Sequence, residues 1–136
     1  SAKTAILTFF SGILGKLITP LICWSDFLES IPKGQYDLII SNPPYISKNE
    51  MKEIMLDVKE FEPKIALTDN NDGLEFYRRF SNKAKKMINE KGSLILEVGI
   101  GSHPIRVREI FHSSGFNKID LISDYNGDPR VIKIEV

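Results

Sequence analysis

Tyr36-Asp37-Leu38-Ile39-Ile40-Ser41-Asn42-Pro43-Pro44-Tyr45 is an aliphatic run of strand length that passes without a spacer into two consecutive prolines. A residue before proline is driven out of the α region, so Asn42 and Pro43 are both held extended. Neither proline has an N–H, which leaves the Pro43 carbonyl as an acceptor with little local competition. Ligands of open α/β sheets bind beyond the carboxyl ends of the strands, and this tetrapeptide falls at such an end. The Asn42 side-chain oxygen and the Pro43 carbonyl can each accept an N–H of a planar nitrogen, while Tyr45 stacks on its plane. An amide or aromatic amine has a delocalised lone pair and must be oriented before it reacts. A plain strand-ending turn is the alternative, yet it needs neither the Asn before the prolines nor the aromatic after them.

Working outward, Ala2 to Leu14 carries Ile6, Phe9, Phe10, Ile13 and Leu17 at helical spacing and predicts a buried helix. Leu21 to Trp24 reads as a strand, with the turn-like Ile31-Pro32-Lys33-Gly34 before the central run. Met51, Ile54, Met55 and Val58 predict a helix capped by Asn49 and stopped before Pro63. A second helix starts at Asp72, with Glu75 reaching back, buries Tyr77, Phe80, Ala84, Met87 and Ile88, and ends at Lys91-Gly92. Ser93 to Val98 is a strand. Ser102 caps a further helix with Pro104 in its first turn, Val107, Ile110 and Phe111 as its stripe and Gly115 as its stop. Lys118 to Ser123 and Val131 to Val136 form a closing hairpin around Asn126-Gly127. Strands alternating with helices predict an α/β fold, a mostly parallel sheet with a C-terminal antiparallel hairpin.

The chain has 136 residues, enough for one core. Lys+Arg and Asp+Glu are both 18, so the net charge is zero and the basic field of a nucleic-acid binder is absent. Cys23 is the single cysteine, and with only His103 and His112 there is no zinc set and no disulfide framework. A reducing, cytoplasmic compartment is expected. Lys16 and Pro20 interrupt the apolar stretch from Ala5 to Trp24, too early for a membrane span. Glu97, Asp37 and His103 show no partner at catalytic spacing and read as structural.

Asn42-Pro43-Pro44-Tyr45 resembles the motif of the class I methyltransferases that use S-adenosylmethionine (SAM) to modify planar nitrogens. The sequence is more closely similar to the HemK/PrmC family, the peptide-chain release factor glutamine N5-methyltransferases. The likeness extends through Phe61-Glu62-Pro63, Ala66-Leu67, Asp72-Gly73-Leu74 with Tyr77-Arg78, Leu96-Glu97-Val98-Gly99, Gly115-Phe116 and Asp128-Pro129-Arg130-Val131. It implies a Rossmann-like domain and methyl transfer from SAM to the glutamine amide in the Gly-Gly-Gln loop of a release factor. Asn42, Pro43, Pro44 and Tyr45 would hold the target, with Asn42, Pro43 and Tyr45 as the catalytic group. Asp26 would hydrogen-bond the adenine amine of the cofactor with Phe27 beside it, and Asn42 would border the cofactor too. As plain residues, Asp26 is a turn aspartate and Phe27 a core ring.

The family's glycine-rich cofactor loop and the acidic residue for the ribose do not precede Asn42. Residues 1–136 are therefore expected to be one partial catalytic domain, truncated at the N-terminus and without the amino-terminal helical domain. Gly12 and Gly15 stand too close to Asn42 to be that loop. Glu97-Val98-Gly99-Ile100-Gly101-Ser102 would serve only in a permuted enzyme. Thr68-Asp69-Asn70-Asn71 stands where the family has paired glycines. Without the intervening strands Tyr36 to Ile40 becomes a sheet edge, which predicts self-association there or a repacked amino-terminal third. A nucleic-acid adenine methyltransferase and a non-catalytic module that has lost cofactor binding are the rival readings.

Overall fold

A computed structural model describes residues 4–11, 19–25, 36–43, 45–50 and 71–136. Its six strands are β1 (Thr4–Ser11), β2 (Thr19–Ser25), β3 (Tyr36–Ser41), β4 (Ile88–Glu97), β5 (Lys118–Ser123) and β6 (Pro129–Glu135). Two helices, α1 (Glu75–Met87) and α2 (His103–Ser113), flank β4 in the chain. The strands form one sheet in the order β2-β1-β3-β4-β6-β5.

The sheet is mixed, which corrects the expectation of mostly parallel pairing. Only β3 and β4 pair parallel among the described strands; β1 with β2, β1 with β3, β4 with β6, and β5 with β6 are antiparallel. Antiparallel neighbours need only short links, whereas the parallel pair spends the chain from residue 42 to 87 on its crossover, α1 included. The C-terminal hairpin stands as expected, closed by Asp124 N–H to the Asp128 carbonyl at 2.9 Å.

Where a helix is expected from Ala2 to Leu14, the described residues Thr4–Ser11 form the strand β1. Its near-continuous apolar run has no period that separates helix from strand, and Thr4, Ile6, Thr8, Phe9 and Phe10 favour the extended chain. Hydrogen bonding to β2 and β3 on either side satisfies its backbone. β3 is therefore not an edge. Of the two consequences foreseen for an exposed β3, the structure has the amino-terminal segment covering it. The expected helix from Met51 to Val58 lies outside the described residues, except for a helical start at 48–50. Ser47, not Asn49, caps that start: Glu50 N–H donates to Ser47 Oγ at 3.2 Å and Ser47 N–H to Glu50 Oε2 at 2.9 Å.

α1 stops at Met87 rather than at Lys91-Gly92, and β4 starts five residues before Ser93. The extra residues are taken up by a register shift: Tyr36 faces Ile88, but Leu38 already faces Ser93. Leu94 and Leu96 of β4 face Ile134 and Ile132 of β6, and these four side chains are fully buried. They share one core with Phe76, Tyr77, Phe80, Ala84 and Met87 of α1 and Val107 and Phe111 of α2. Phe80 bridges the helices, its ring centroid 5.4 Å from that of Phe76 and 6.3 Å from that of Phe111. Burying each Val, Leu, Ile, Phe or Met side chain among them contributes about 1.5–3 kcal/mol. No helix among the described residues is long and apolar enough to cross a membrane.

Phe111→Ala is expected to destabilise the fold by about 3–5 kcal/mol. Ile100→Ala, at a residue 62% exposed, should stay within about 0.5 kcal/mol of wild type in the same denaturant titration.

Candidate functional site

β3 and β4 run the same way, and Ser41 pairs with Leu96, so Asn42 and Glu97 leave the sheet side by side. β6 runs oppositely, and its Val131 pairs with Glu97, so Arg130 arrives at the same rim from the start of its strand. β2 runs with β3: Leu7 faces both Cys23 and Ser41, so the last residue of β3 is level with Cys23 and β2 continues two residues further toward that rim. Asp26 and Phe27, next in sequence after β2, lie outside the described residues, as does Pro44.

Asn42 is exposed, and among the described residues no hydrogen bond engages its side chain. Pro43 is buried and Tyr45 half-buried. Tyr45 is held through its hydroxyl, its ring edge and its backbone. Its O–H donates to Glu97 Oε1 at 3.1 Å, and Arg130 Nη2 donates to both the Tyr45 hydroxyl and Glu97 Oε1 at 3.3 Å. The guanidinium lies 6.0 Å from the Tyr45 ring centroid. Burial first, then the charge and hydrogen bond of Glu97, raise the Tyr45 phenol above its ordinary 10, with Arg130 opposing in part. The hydroxyl is thus a donor at neutral pH.

His103, at the start of α2, packs edge-on to two rings, 6.0 Å from Tyr45 and 5.3 Å from Tyr77 between centroids. Gly99 N–H donates to its Nδ1 at 3.0 Å, and its Nε2 lies 2.8 Å from the Gly73 carbonyl oxygen. An amide N–H can only donate and a carbonyl can only accept, so these partners select the neutral imidazole with its proton on Nε2. Tyr77 O–H donates to the Glu97 carbonyl at 2.6 Å, which ties the end of β4 to α1.

The Asp72-Gly73-Leu74 loop closes the far side. Gly73 has φ of +80°, and a Cβ there would overlap the Tyr45 carbonyl oxygen. Asp72 is not the helix cap foreseen; it accepts from Leu74 N–H at 3.1 Å, from both terminal nitrogens of Arg78, and from Arg106 at 3.3 Å. The Arg78 hydrogen bonds lead in lowering its pKa from the ordinary 3.8 to about 2. A cleft of about 260 Å³ opens beside Tyr45, with Ile46, Glu50, Gly99, Ile100, His103 and Arg130 around it.

Glu97, His103 and Arg130, two of which read as structural from sequence, thus surround Tyr45. Their partners are 52, 30 and 85 residues away in the chain, beyond any spacing rule. For Glu97 and Arg130 the signal available was their place inside the matched strings Leu96-Glu97-Val98-Gly99 and Asp128-Pro129-Arg130-Val131; His103 lies in neither and carried no such signal. Asp37, by contrast, sits at the start of β3, where it accepts from Asn89 at 2.6 Å.

Comparison with known proteins gives a family model, the Eco57I restriction-modification methylase, that matches residues 16–99. A release factor glutamine methyltransferase of Fusobacterium nucleatum is 43% identical over 131 residues, 96% of this chain and 37% of its own length. One from Clostridium acetobutylicum is 38% identical over 79% of this chain and 38% of its own length. A bifunctional methyltransferase of Rickettsia felis is 40% identical over 82% of this chain and 21% of its own length. The chain therefore spans between about a fifth and two fifths of the curated relatives it matches.

Gly73→Ala is expected to destabilise by about 1–3 kcal/mol or more, since strain and overlap coincide. Gly127→Ala, with φ of +89° but open space around it, pays strain alone and should cost less in the same thermal unfolding series. Because folding lowers the Asp72 pKa, its contribution is complete above the unfolded value near 3.8 and fades as pH falls through about 2. Asp72→Asn should flatten the acid limb of the stability curve between about pH 5 and 2, measured by urea unfolding across that range.

Proposed function

The chain belongs to the HemK/PrmC family of release factor glutamine methyltransferases, and we propose that it methylates the side-chain amide nitrogen of the glutamine in the Gly-Gly-Gln motif of a peptide-chain release factor. The observation that carries this reading is the contrast at the rim: Asn42 exposed and, among the described residues, without a side-chain hydrogen bond, beside a Tyr45 whose hydroxyl is held by Glu97 and Arg130. In the proposed complex the Asn42 oxygen and the Pro43 carbonyl each accept one N–H of the target amide, and the Tyr45 ring packs on its plane. Those two acceptors favour rehybridisation at nitrogen and aim its lone pair. No strong base is needed if the proton leaves after charge has built up on nitrogen.

SAM, when bound, supplies an electrophilic methyl group. Asn42 would border it, and Asp26 and Phe27 would receive its adenine. The register of β2 supports this assignment, because it runs in the same direction as β3 and its last residue, Ser25, lies at the same end of the sheet as Ser41. A cytoplasmic location and a release factor as protein partner belong to the same proposal.

One observation favours a second reading, a nucleic-acid amino methyltransferase: the matching family model carries the name of a restriction-modification methylase. Zero net charge weighs against it.

Transfer of labelled methyl from SAM to a Gly-Gly-Gln protein, run beside an adenine-containing oligonucleotide, separates the readings. The protein substrate should be labelled, and Asn42→Ala should lower kcat/KM by about 100-fold or more with unchanged thermal stability. Labelling of the oligonucleotide alone selects the second reading. Labelling of neither, together with no SAM binding by calorimetry, identifies a non-catalytic module.

A further inference from the structure

We propose that Arg130 and Glu97 are positioning residues that hold the Tyr45 ring as a fixed wall of the target-amide site. The inference rests on the function proposed above and adds to it two side chains that need not touch substrate, cofactor or the reacting atoms.

The three groups come from separate elements, the loop after β3, the end of β4 and the start of β6, and they meet through one acceptor and one nitrogen. Glu97 Oε1 receives Tyr45 O–H at 3.1 Å and Arg130 Nη2 at 3.3 Å, and the same Nη2 reaches the Tyr45 oxygen at 3.3 Å. Such a closed triangle fixes the hydroxyl end of the ring. Its edge meets Gly99, where an added Cβ would stand 3.2 Å from Tyr45 Cδ2, and its backbone end lies against Gly73. The anchor is itself rigid: Tyr77, fully buried in α1, holds the Glu97 carbonyl.

Magnitude argues that the triangle serves geometry rather than stability. Glu97 and Arg130 are each about one third exposed, and ion pairs of that kind contribute about 0–1 kcal/mol. A displacement of about 1 Å in an orienting group can cost about 100-fold in rate. Arginine suits the place because its planar guanidinium lies over the Tyr45 ring, 6.0 Å from the centroid, while one nitrogen, Nη2, serves both oxygens; a lysine ammonium on a flexible stem has no plane to set against the ring.

The test uses the full chain with 13C-labelled tyrosine, the Tyr45 ring signals being assigned by Tyr45→Phe. Arg130→Gln and Glu97→Gln should lower the order parameter of the Tyr45 ring, with Arg130→Lys between these variants and wild type. In the methylation assay the same variants should lose about tenfold or more in kcat, with a smaller change in KM for the Gly-Gly-Gln protein. An unchanged order parameter in both Gln variants overturns the proposal. So does a mobile ring with wild-type kcat. If the wild-type protein labels no Gly-Gly-Gln substrate, the functional reading and the positioning role fall together, while the order parameters still decide whether the triangle holds the ring.

Discussion

The parallel pairing of β3 with β4 is the constraint on which the site depends. Strands that run together end together, so the one parallel ladder described sets Asn42 and Glu97 next to each other at the rim. A parallel connection cannot be a tight turn. It needs a crossover, and the crossover brings α1 across the sheet and Tyr77 under the end of β4. β6 then enters antiparallel on the other side of β4, which is why a residue at its beginning, Arg130, meets a residue at the end of its neighbour. The antiparallel β1 does for β3 what further parallel strands do in larger sheets: it satisfies the open hydrogen-bonding side of an apolar strand.

Hydrogen-bond complementarity sets the second layer of order. His103 stands between a group that only donates and one that only accepts, and so joins the β4–α2 turn to the Asp72-Gly73 loop as a single neutral tautomer. Lys48 N–H donates to the Asn71 carbonyl at 2.8 Å and ties the segment after Tyr45 to that same loop. Asp72 gathers Arg78 and Arg106 from the two helices beneath. Loops that are far apart in sequence are thus joined by contacts between groups of opposite hydrogen-bonding sense, with the partly exposed ion pairs of Asp72 beside them.

The elements legible in the sequence are those whose period and punctuation agree. α2 shows Pro104 in its first turn, Val107 and Phe111 buried, and a positive-φ Gly115 at its stop. The β5–β6 hairpin follows the Asn-Gly pair. Where a run is apolar throughout, as at Thr4–Ser11, the pattern fixes burial but not conformation, and the sheet partners decide. The end of α1 is not legible because Gly92 looks like a helix stop; it sits instead where β4 passes close to Tyr36, whose carbonyl oxygen lies 3.0 Å from any added Cβ. In the site, Asn42 and Tyr45 were legible from their chemistry. Glu97, His103 and Arg130 were not, because their chemistry is relational: each is an ordinary polar residue until the fold brings Tyr45 to it.

That difference between legible and illegible residues follows from a division within the site. A group that must bind a target has to keep its hydrogen-bonding capacity unspent, and the price is local freedom: Asn42 is exposed, and no hydrogen bond engages its side chain among the described residues. A group that must shape the site needs the opposite, contacts that restrain it, and Tyr45 has its hydroxyl engaged by Glu97 and Arg130, its edge beside Gly99 and His103, and its backbone against Gly73. The two demands conflict in one side chain but not in neighbours three residues apart. The prolines between them reconcile the demands, since they stiffen the connecting backbone without adding N–H groups that would compete for Asn42 or for its ligand. Rigidity built at Tyr45 is thereby transmitted to the frame around Asn42 while the Asn42 side chain itself remains available.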